Sequence, residues 1–316
     1  MIGLVARRFA GLILTLFIVS VLIFTVMDLL PGDPASIMLG TSASPDTLAA
    51  LQRELGLDQP LPVRYLTWLG GVLAGDLGVS YTYGVPVAGL IAERLAVTLP
   101  LAFMAILISL AIAIPAGVQA ARSRNGPVDV AIGLFSYTGI AVPSFWFGLL
   151  LILLFATDLG WFPAGGFPGW GEGGVAAVKA LVLPALALAL PQAAVLTRVT
   201  RSAVLDVLAE DYIRTARAKG LSERAAVWRH ALPAALVPIV TMLGLQFTFL
   251  VAGAVLVENV FNLPGLGRLA FQALSQRDVI VMQDVILLFA ALVIVVNFVA
   301  DVAHLVLDPR LRTVQR

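Results

Sequence analysis

The sequence has no cysteine and little charge. Without cysteine it can build no disulfide framework and no thiolate metal site. Only 12% of its 316 residues are charged, against 60% hydrophobic, and a soluble domain carries about twice that share of charge. Such a chain cannot hide its apolar surface in one soluble core. The composition points to a membrane protein with several spans. Enzyme motifs are missing too. There is no Gly-x-x-x-x-Gly-Lys-Ser/Thr loop to cradle phosphates, no His-Glu-x-x-His and no Gly-x-Ser-x-Gly. The chain is therefore not expected to be an enzyme, and no catalytic residue, metal or cofactor is assigned to it. No nucleic-acid partner is expected; membrane lipid is.

What is present is six long apolar segments. They run over 9–30, 97–121, 130–155, 175–196, 232–257 and 281–307, and each reaches or exceeds the roughly 20 residues a helix needs to cross the hydrocarbon. The first is too long for a signal-peptide core and reads as an uncleaved span. Fourteen of the twenty Lys and Arg residues fall on one side of this pattern, in the segments around Arg7, Arg122, Arg214 and Arg312. The positive-inside rule puts that side, with both termini, in the cytoplasm. The reading is an all-α polytopic membrane protein of six transmembrane helices.

The longest polar stretch of the C-terminal two thirds is Asp211-Tyr-Ile-Arg-Thr-Ala-Arg-Ala-Lys-Gly220, continuing to His230-Ala-Leu-Pro233. It reads as two short helices joined at Gly220, which suits the left-handed residue that ends a helix. Ser222 can cap the second helix, with Glu223 in its first turn. This stretch resembles the cytoplasmic EAA loop of ABC importer permeases. That pattern is Glu-Ala-Ala, three residues, Gly, nine residues, Ile, one residue, Leu-Pro. The spacing from Gly220 to Leu232-Pro233 fits. Arg214-Thr215-Ala216 replaces Glu-Ala-Ala and His230 replaces Ile, and both departures resemble the dipeptide, oligopeptide and nickel branch. Leu30-Pro-Gly-Asp-Pro34, Leu55-Gly-Leu-Asp58, Gly75-Asp-Leu-Gly78 with Ser80, Glu258-Asn-Val-Phe-Asn-Leu-Pro-Gly-Leu-Gly267 and Asp308-Pro-Arg310 extend the likeness to nearly the whole chain.

The resemblance implies a type I ABC importer permease fold. It implies a first span plus an extracytoplasmic helical segment over 1–94, and a permease domain over 95–316 with a coupling loop at about 199–231. It implies a second homologous permease, two ATPase subunits carrying ATP and Mg, and an extracytoplasmic substrate-binding protein. In the coupling loop, Tyr212, Arg214, Thr215, Ala216, Arg217, Lys219, Gly220, Leu221 and Glu223 would meet an ATPase. The implied cargo is a dipeptide or oligopeptide; nickel chelates and glutathione are carried by close branches. An ion-coupled secondary transporter is the reading from another class. It would need an acid near the membrane midplane, whereas Asp284 and Asp301 lie near the ends of the last segment.

The segment between the first two spans opens with Pro31-Gly-Asp-Pro34, which stops a helix. Ser44-Pro45-Asp46 then starts one, with Leu48, Leu51 and Leu55 forming an apolar stripe and Gly56 closing it. This is a helical cap on the spans, a docking surface for a binding protein, or both; Asp33, Asp58 and Asp76 are the docking candidates. Within the spans Gln192, Gln246 and Asn297 are expected to face the bundle interior or a cavity. They serve as interhelical hydrogen-bond partners or as residues of a translocation path. Asp301, His304 and Asp308 share a helical face at metal-ligand spacing but fall at the end of the last span, where they read as a solvated helix end.

Overall fold

The computed structural model describes residues 2–29, 34–40 and 44–307. Among them the chain is helical, with one isolated bridge between Val79 and Pro86. Five helical stretches are long and apolar enough to cross a membrane: Val5–Leu29, Val87–Arg122, Gly174–Leu208, Glu223–Val260 and Val279–His304. The sixth expected span, 130–155, is not straight. It consists of α6 (Pro127–Ala141) and α7 (Ser144–Leu151), the latter running on into a π-helical stretch, Ile152–Asp158, and the path bends by 104° between the two halves. The cause is Pro143. A proline drives the residue before it out of the α region, and Val142 is extended, at φ −88° and ψ 123°.

The other helices are α1 (Ile2–Leu29), α2 (Pro34–Leu39), α3 (Pro45–Glu54), α4 (Leu61–Ala74), α5 (Val87–Arg122), α8 (Gly174–Leu208), α9 (Asp211–Ala218), α10 (Glu223–Ala226), α11 (Leu232–Val260), α12 (Leu266–Gln276) and α13 (Val279–Leu307). Several overrun the apolar windows read from sequence, because a helix continues past the hydrocarbon while its backbone bonds last. At 36 residues, α5 is about 54 Å long. The prolines inside α5 (Pro100, Pro115), α8 (Pro184, Pro191) and α11 (Pro238) leave those helices continuous.

α8 is the central helix, with α5, α6, α7 and α11 packed on it. Small residues allow the close approach expected of membrane helices. A Cβ on Gly117 of α5 would lie 2.6 Å from Thr200 Cβ and 2.7 Å from the Thr197 carbonyl oxygen; one on Gly139 of α6 would lie 2.8 Å from Ala194 Cβ. α1 lies against α13, with Phe9 edge-on to Phe298 and Arg8 paired to Asp301. That pairing uses Asp301, so it is a helix-end contact; Asp308 lies outside the described residues. α9 and α10 lie at one end of the bundle, the loop end.

At the far end the structure divides the expected cap. α3 is closed by a capping box between Ser44 and Thr47, and its apolar stripe is only half-buried, with α2 as its main contact. The packed element is α4. Arg64 pairs with Asp28 at 2.7 Å, Tyr65 and Ser20 share a hydrogen bond of 2.9 Å, and Trp68 Nε1 donates to Asp284 Oδ1 at 2.8 Å. α4 thus ties α1 to α13. The loop after it is tied as well: Asp278, just before α13, accepts from Ser80 Oγ at 2.5 Å and from the Thr82 N–H at 3.0 Å.

The Glu258–Gly267 string is a clasp. The Glu258 side chain is fully buried. It accepts from Thr98 Oγ1 at 2.6 Å and from the Arg268 N–H at 3.1 Å, while Thr98 Oγ1 accepts from the Leu266 N–H at 2.8 Å. The first N–H groups of α12 are satisfied by a carboxylate and a hydroxyl from α11 and α5, which is how a buried helix start must be closed. Gly265 and Gly267 are required there: a Cβ at 265 would run into the Glu258 carboxylate, and one at 267 would lie 2.5 Å from Val255 Cα.

Candidate docking loop and the polar residues of the bundle

α9 ends in a left-handed turn. Gly220 has φ +93°, the Gly220 N–H donates to Arg217 O at 2.9 Å, and the Leu221 N–H donates to Ala216 O at 3.2 Å. This is the Schellman pattern, in which the two bonds close the last carbonyls of a helix and the left-handed residue is usually glycine. Ser222 Oγ then accepts from the Ala225 N–H at 3.3 Å and caps α10. The second helix is not separate, as the sequence suggests. It runs through a π-helical turn, Val227–Ala231, into α11. Pro233 explains the turn: proline has no N–H and crowds the carbonyl four residues back, and widening the helix before it relieves both.

The loop is rooted in the bundle. Ile213 of α9 and Ala226 of α10 are fully buried, and Val227 and Ala231 of the turn after α10 are buried with Val118 and Ala121 of α5, Ala203 and Val204 of α8 and Ala235 of α11. Its outer surface is free and basic. Tyr212, Arg214, Thr215, Arg217, Lys219 and Gly220 are exposed, while Ala216 and Leu221 are half-buried. Two side chains are used within the unit: Thr215 Oγ1 donates to Asp211 O at 2.9 Å, and Arg214 lies 3.4 Å from Asp211. Glu223 faces Arg122 at 3.8 Å and so links α10 to the end of α5. Sequence reasoning missed the neighbouring face of α10. Trp228, 42% exposed, borders an open recess of about 400 Å³ with Arg224 and Arg229. The signal was an aromatic residue between arginines in a polar loop.

The three polar span residues sit on three helices. Gln192 of α8 and Gln246 of α11 are buried, and Gln246 Nε2 has no hydrogen-bond partner among the described residues. Asn297 of α13 donates to Val293 O at 2.9 Å and faces Gly244, where a Cβ would meet its Oδ1 at 3.0 Å. Among the described residues no hydrogen bond joins the three. Asp33 lies outside the described residues. Asp58 is exposed, and Asp76, also exposed, accepts from the Gly78 N–H at 3.0 Å and shapes a turn. Among the described residues no cluster of His, Asp and Glu could hold a metal ion.

Residues 113–313 match the family described as the inner membrane component of binding-protein-dependent transport systems, and residues 1–102 match its N-terminal region. The chain belongs to this family of transport permeases. Among the permease's relatives, a Brucella abortus (strain 2308) protein named as a permease of a peptide transport system is 42% identical over 312 residues, 99% of each chain. The glutathione transport system permease protein GsiC of Salmonella choleraesuis is also 42% identical over 312 residues, again 99% of each chain. The fold is similar to that of a solved chain of the MetNI methionine ABC transporter in an inward-facing conformation. The TM-score is 0.59 at 20% identity, covering 69% of the permease and 96% of that chain. The permease is thus a multi-pass component of the inner membrane with the fold of an ABC importer subunit.

Proposed function

We propose that this permease moves peptides across the bacterial cytoplasmic membrane in an ATP-driven importer. Its partners are a second homologous permease, two ATPase subunits carrying ATP and Mg, and an extracytoplasmic binding protein. The loop end and both termini lie in the cytoplasm. The observation that carries the reading is the α9–Gly220–α10 unit, which is exposed and basic on its outer surface and runs on through Val227 and Ala231 into a buried cluster with α5, α8 and α11. The named peptide permeases at 42% identity supply the cargo.

The mechanism follows from that rooting. An ATPase groove receives α9, with Arg214, Arg217 and Lys219 meeting its acids and carbonyls. Closing of the ATPases on ATP moves the docked unit, and the shared cluster passes the motion to three spans at once. Coupling requires that the two ATPase states contact the loop differently. Gln192, Gln246 and Asn297 remain candidates for the path, and Asp58 and Asp76 for binding-protein contact.

Glutathione, itself a peptide, is the second cargo reading, since GsiC matches over the same length and identity. Affinity purification of the chain from its own membrane in mild detergent, followed by mass spectrometry, tests the proposal. Two ATPases, a sister permease and a binding protein are expected, and the ligand held by the binding protein separates the two cargoes. A chain recovered alone, under conditions that preserve other complexes, overturns it.

A further inference from the structure

An open cavity of about 910 Å³ lies at the loop end between α6 and α8, with Met242 of α11 on its wall. Two arginines of α8 face it, one turn apart. Arg201 is neutralised: Asp129 of α6 accepts from its Nε at 2.6 Å and from its Nη2 at 2.7 Å. Arg198 has no such partner. Its guanidinium sits 5.2 Å over the Tyr137 ring, and among the described residues no carboxylate lies within ion-pairing distance. The stacking holds the charge in place without cancelling it. Val130, Leu134, Val195 and Met242 make up an apolar share of the remaining walls, beside the polar Asn125 and Ser202. Val130 and Leu134 are each 67% exposed, so among the described residues nothing closes the cavity over them.

We propose that this cavity is a station on the peptide route where Arg198 receives the terminal carboxylate of the substrate. The proposal rests on the peptide-importer reading and deepens it. Side chains differ from peptide to peptide, but every free peptide ends in a carboxylate. One cation fixed in place, above walls that include a flexible methionine, reads the shared group and tolerates the variable ones. The volume suits a small peptide, since ligand sites span about 300–1,000 Å³. An exposed single charge also releases its cargo readily, as a route must.

The absence of native cysteine makes a direct test possible. Ser202→Cys places one thiol of this chain on the cavity wall. The assembled importer in nanodiscs is treated with a maleimide, and labelling of this chain is followed with alanyl-phenylalanine or its C-terminal amide present. The free dipeptide is expected to slow labelling about tenfold and the amide hardly at all, the difference a charged hydrogen-bonded pair makes. Adding Arg198→Gln is expected to abolish the protection, and Arg198→Lys to keep part of it. Equal protection by peptide and amide overturns the proposal on the wild-type Arg198 background, whatever the variants do. So does protection that survives Arg198→Gln. So does a thiol that reacts in the lone chain and is closed off in the importer without peptide, because the sister permease then fills the cavity. Dipeptide uptake by the same importer in proteoliposomes is measured alongside. Uptake with an Arg198-independent thiol defeats only the carboxylate station; no uptake of any peptide defeats the importer reading as well.

Discussion

Asp129 accepts both hydrogen bonds of the Arg201 guanidinium fork across the contact between α6 and α8. The same carboxylate accepts from the Asn125 N–H at 2.9 Å, so it also shapes the turn that enters α6. Planar bidentate geometry is the strong form of an ion pair. Asp129→Ala leaves a half-buried guanidinium unpaired and opens the first turn of α6. A loss of about 1–2 kcal/mol is expected, read as a lower thermal unfolding midpoint in detergent. Asp129→Glu, with the same charge on a longer stem, is expected to fall between the two. An unchanged midpoint in Asp129→Ala would show the pair to be incidental to folding.

Gly220 sits at a φ that side chains rarely adopt, with open space around its Cα. Substitution there costs backbone strain and creates no clash, so the effect should stay local. Gly220→Ala is expected to cost the turn about 1 kcal/mol. Gly220→Asp adds an acid to a basic surface as well. Both proteins should reach the membrane at normal levels. Uptake should fall sharply in Gly220→Asp, with ATPase subunits lost from the purified complex. A bulky residue at the half-buried Ala216 is expected to behave alike. Normal uptake by Gly220→Asp would remove the docking assignment.

The spans and the Schellman turn were legible because each is a local property. Apolar run length, glycine after a helical stretch and serine before one all act within a few residues. The bend at Pro143 was not legible, since the prolines of the spans look alike and Pro100, Pro115, Pro184, Pro191 and Pro238 leave their helices continuous. Pro143 differs through Val142, which adopts the extended conformation. The roles of Arg198 and Arg201 were hidden for another reason. They stand three residues apart in one basic segment, and what separates them is an aspartate 72 residues earlier. Gln192, Gln246 and Asn297 show the same limit. A polar residue in a span announces that it needs a partner, but which neighbouring helix supplies one is a matter of packing. Asp284 and Asp301 were read by depth alone, and the structure engages them with Trp68 and Arg8.

Thr98 closes the α12 clasp from α5. Its hydroxyl donates to Glu258 and accepts from the Leu266 N–H, so a single oxygen serves two buried groups. Thr98→Val keeps the shape and removes both bonds. Leaving a buried donor and a buried carboxylate short of a partner is expected to cost about 1–3 kcal/mol. Thr98→Ser should retain most of the stability. Gly265→Ala tests the clasp from the opposite side, because the added methyl competes with the carboxylate for space. Thermal unfolding of the purified permease reads all three. Wild-type stability in Thr98→Val would show that the hydroxyl is replaceable.

Trp68 joins α4 to the first turns of α13 through Asp284, whose side chain is almost wholly buried. The second carboxyl oxygen, Oδ2, has no partner among the described residues. Trp68→Phe keeps the ring against Phe24, whose centroid lies 5.8 Å away, and removes the N–H. The buried carboxyl then loses its only tryptophan donor, and the expected loss is again about 1–3 kcal/mol. Asp284→Asn separates acceptor from charge. Its amide oxygen can still accept from Trp68, and no charge has to be buried beside the hydrocarbon. Asp284→Asn should therefore be at least as stable as the wild type, while Asp284→Leu, which strands the indole N–H, should fall with Trp68→Phe. Limited proteolysis locates the effect. If Trp68 pins α4, cleavage between residues 56 and 75 accelerates in Trp68→Phe and Asp284→Leu and stays slow in Asp284→Asn. Equal cleavage in all four proteins would mean that Arg64 with Asp28 and Tyr65 with Ser20 hold α4 unaided.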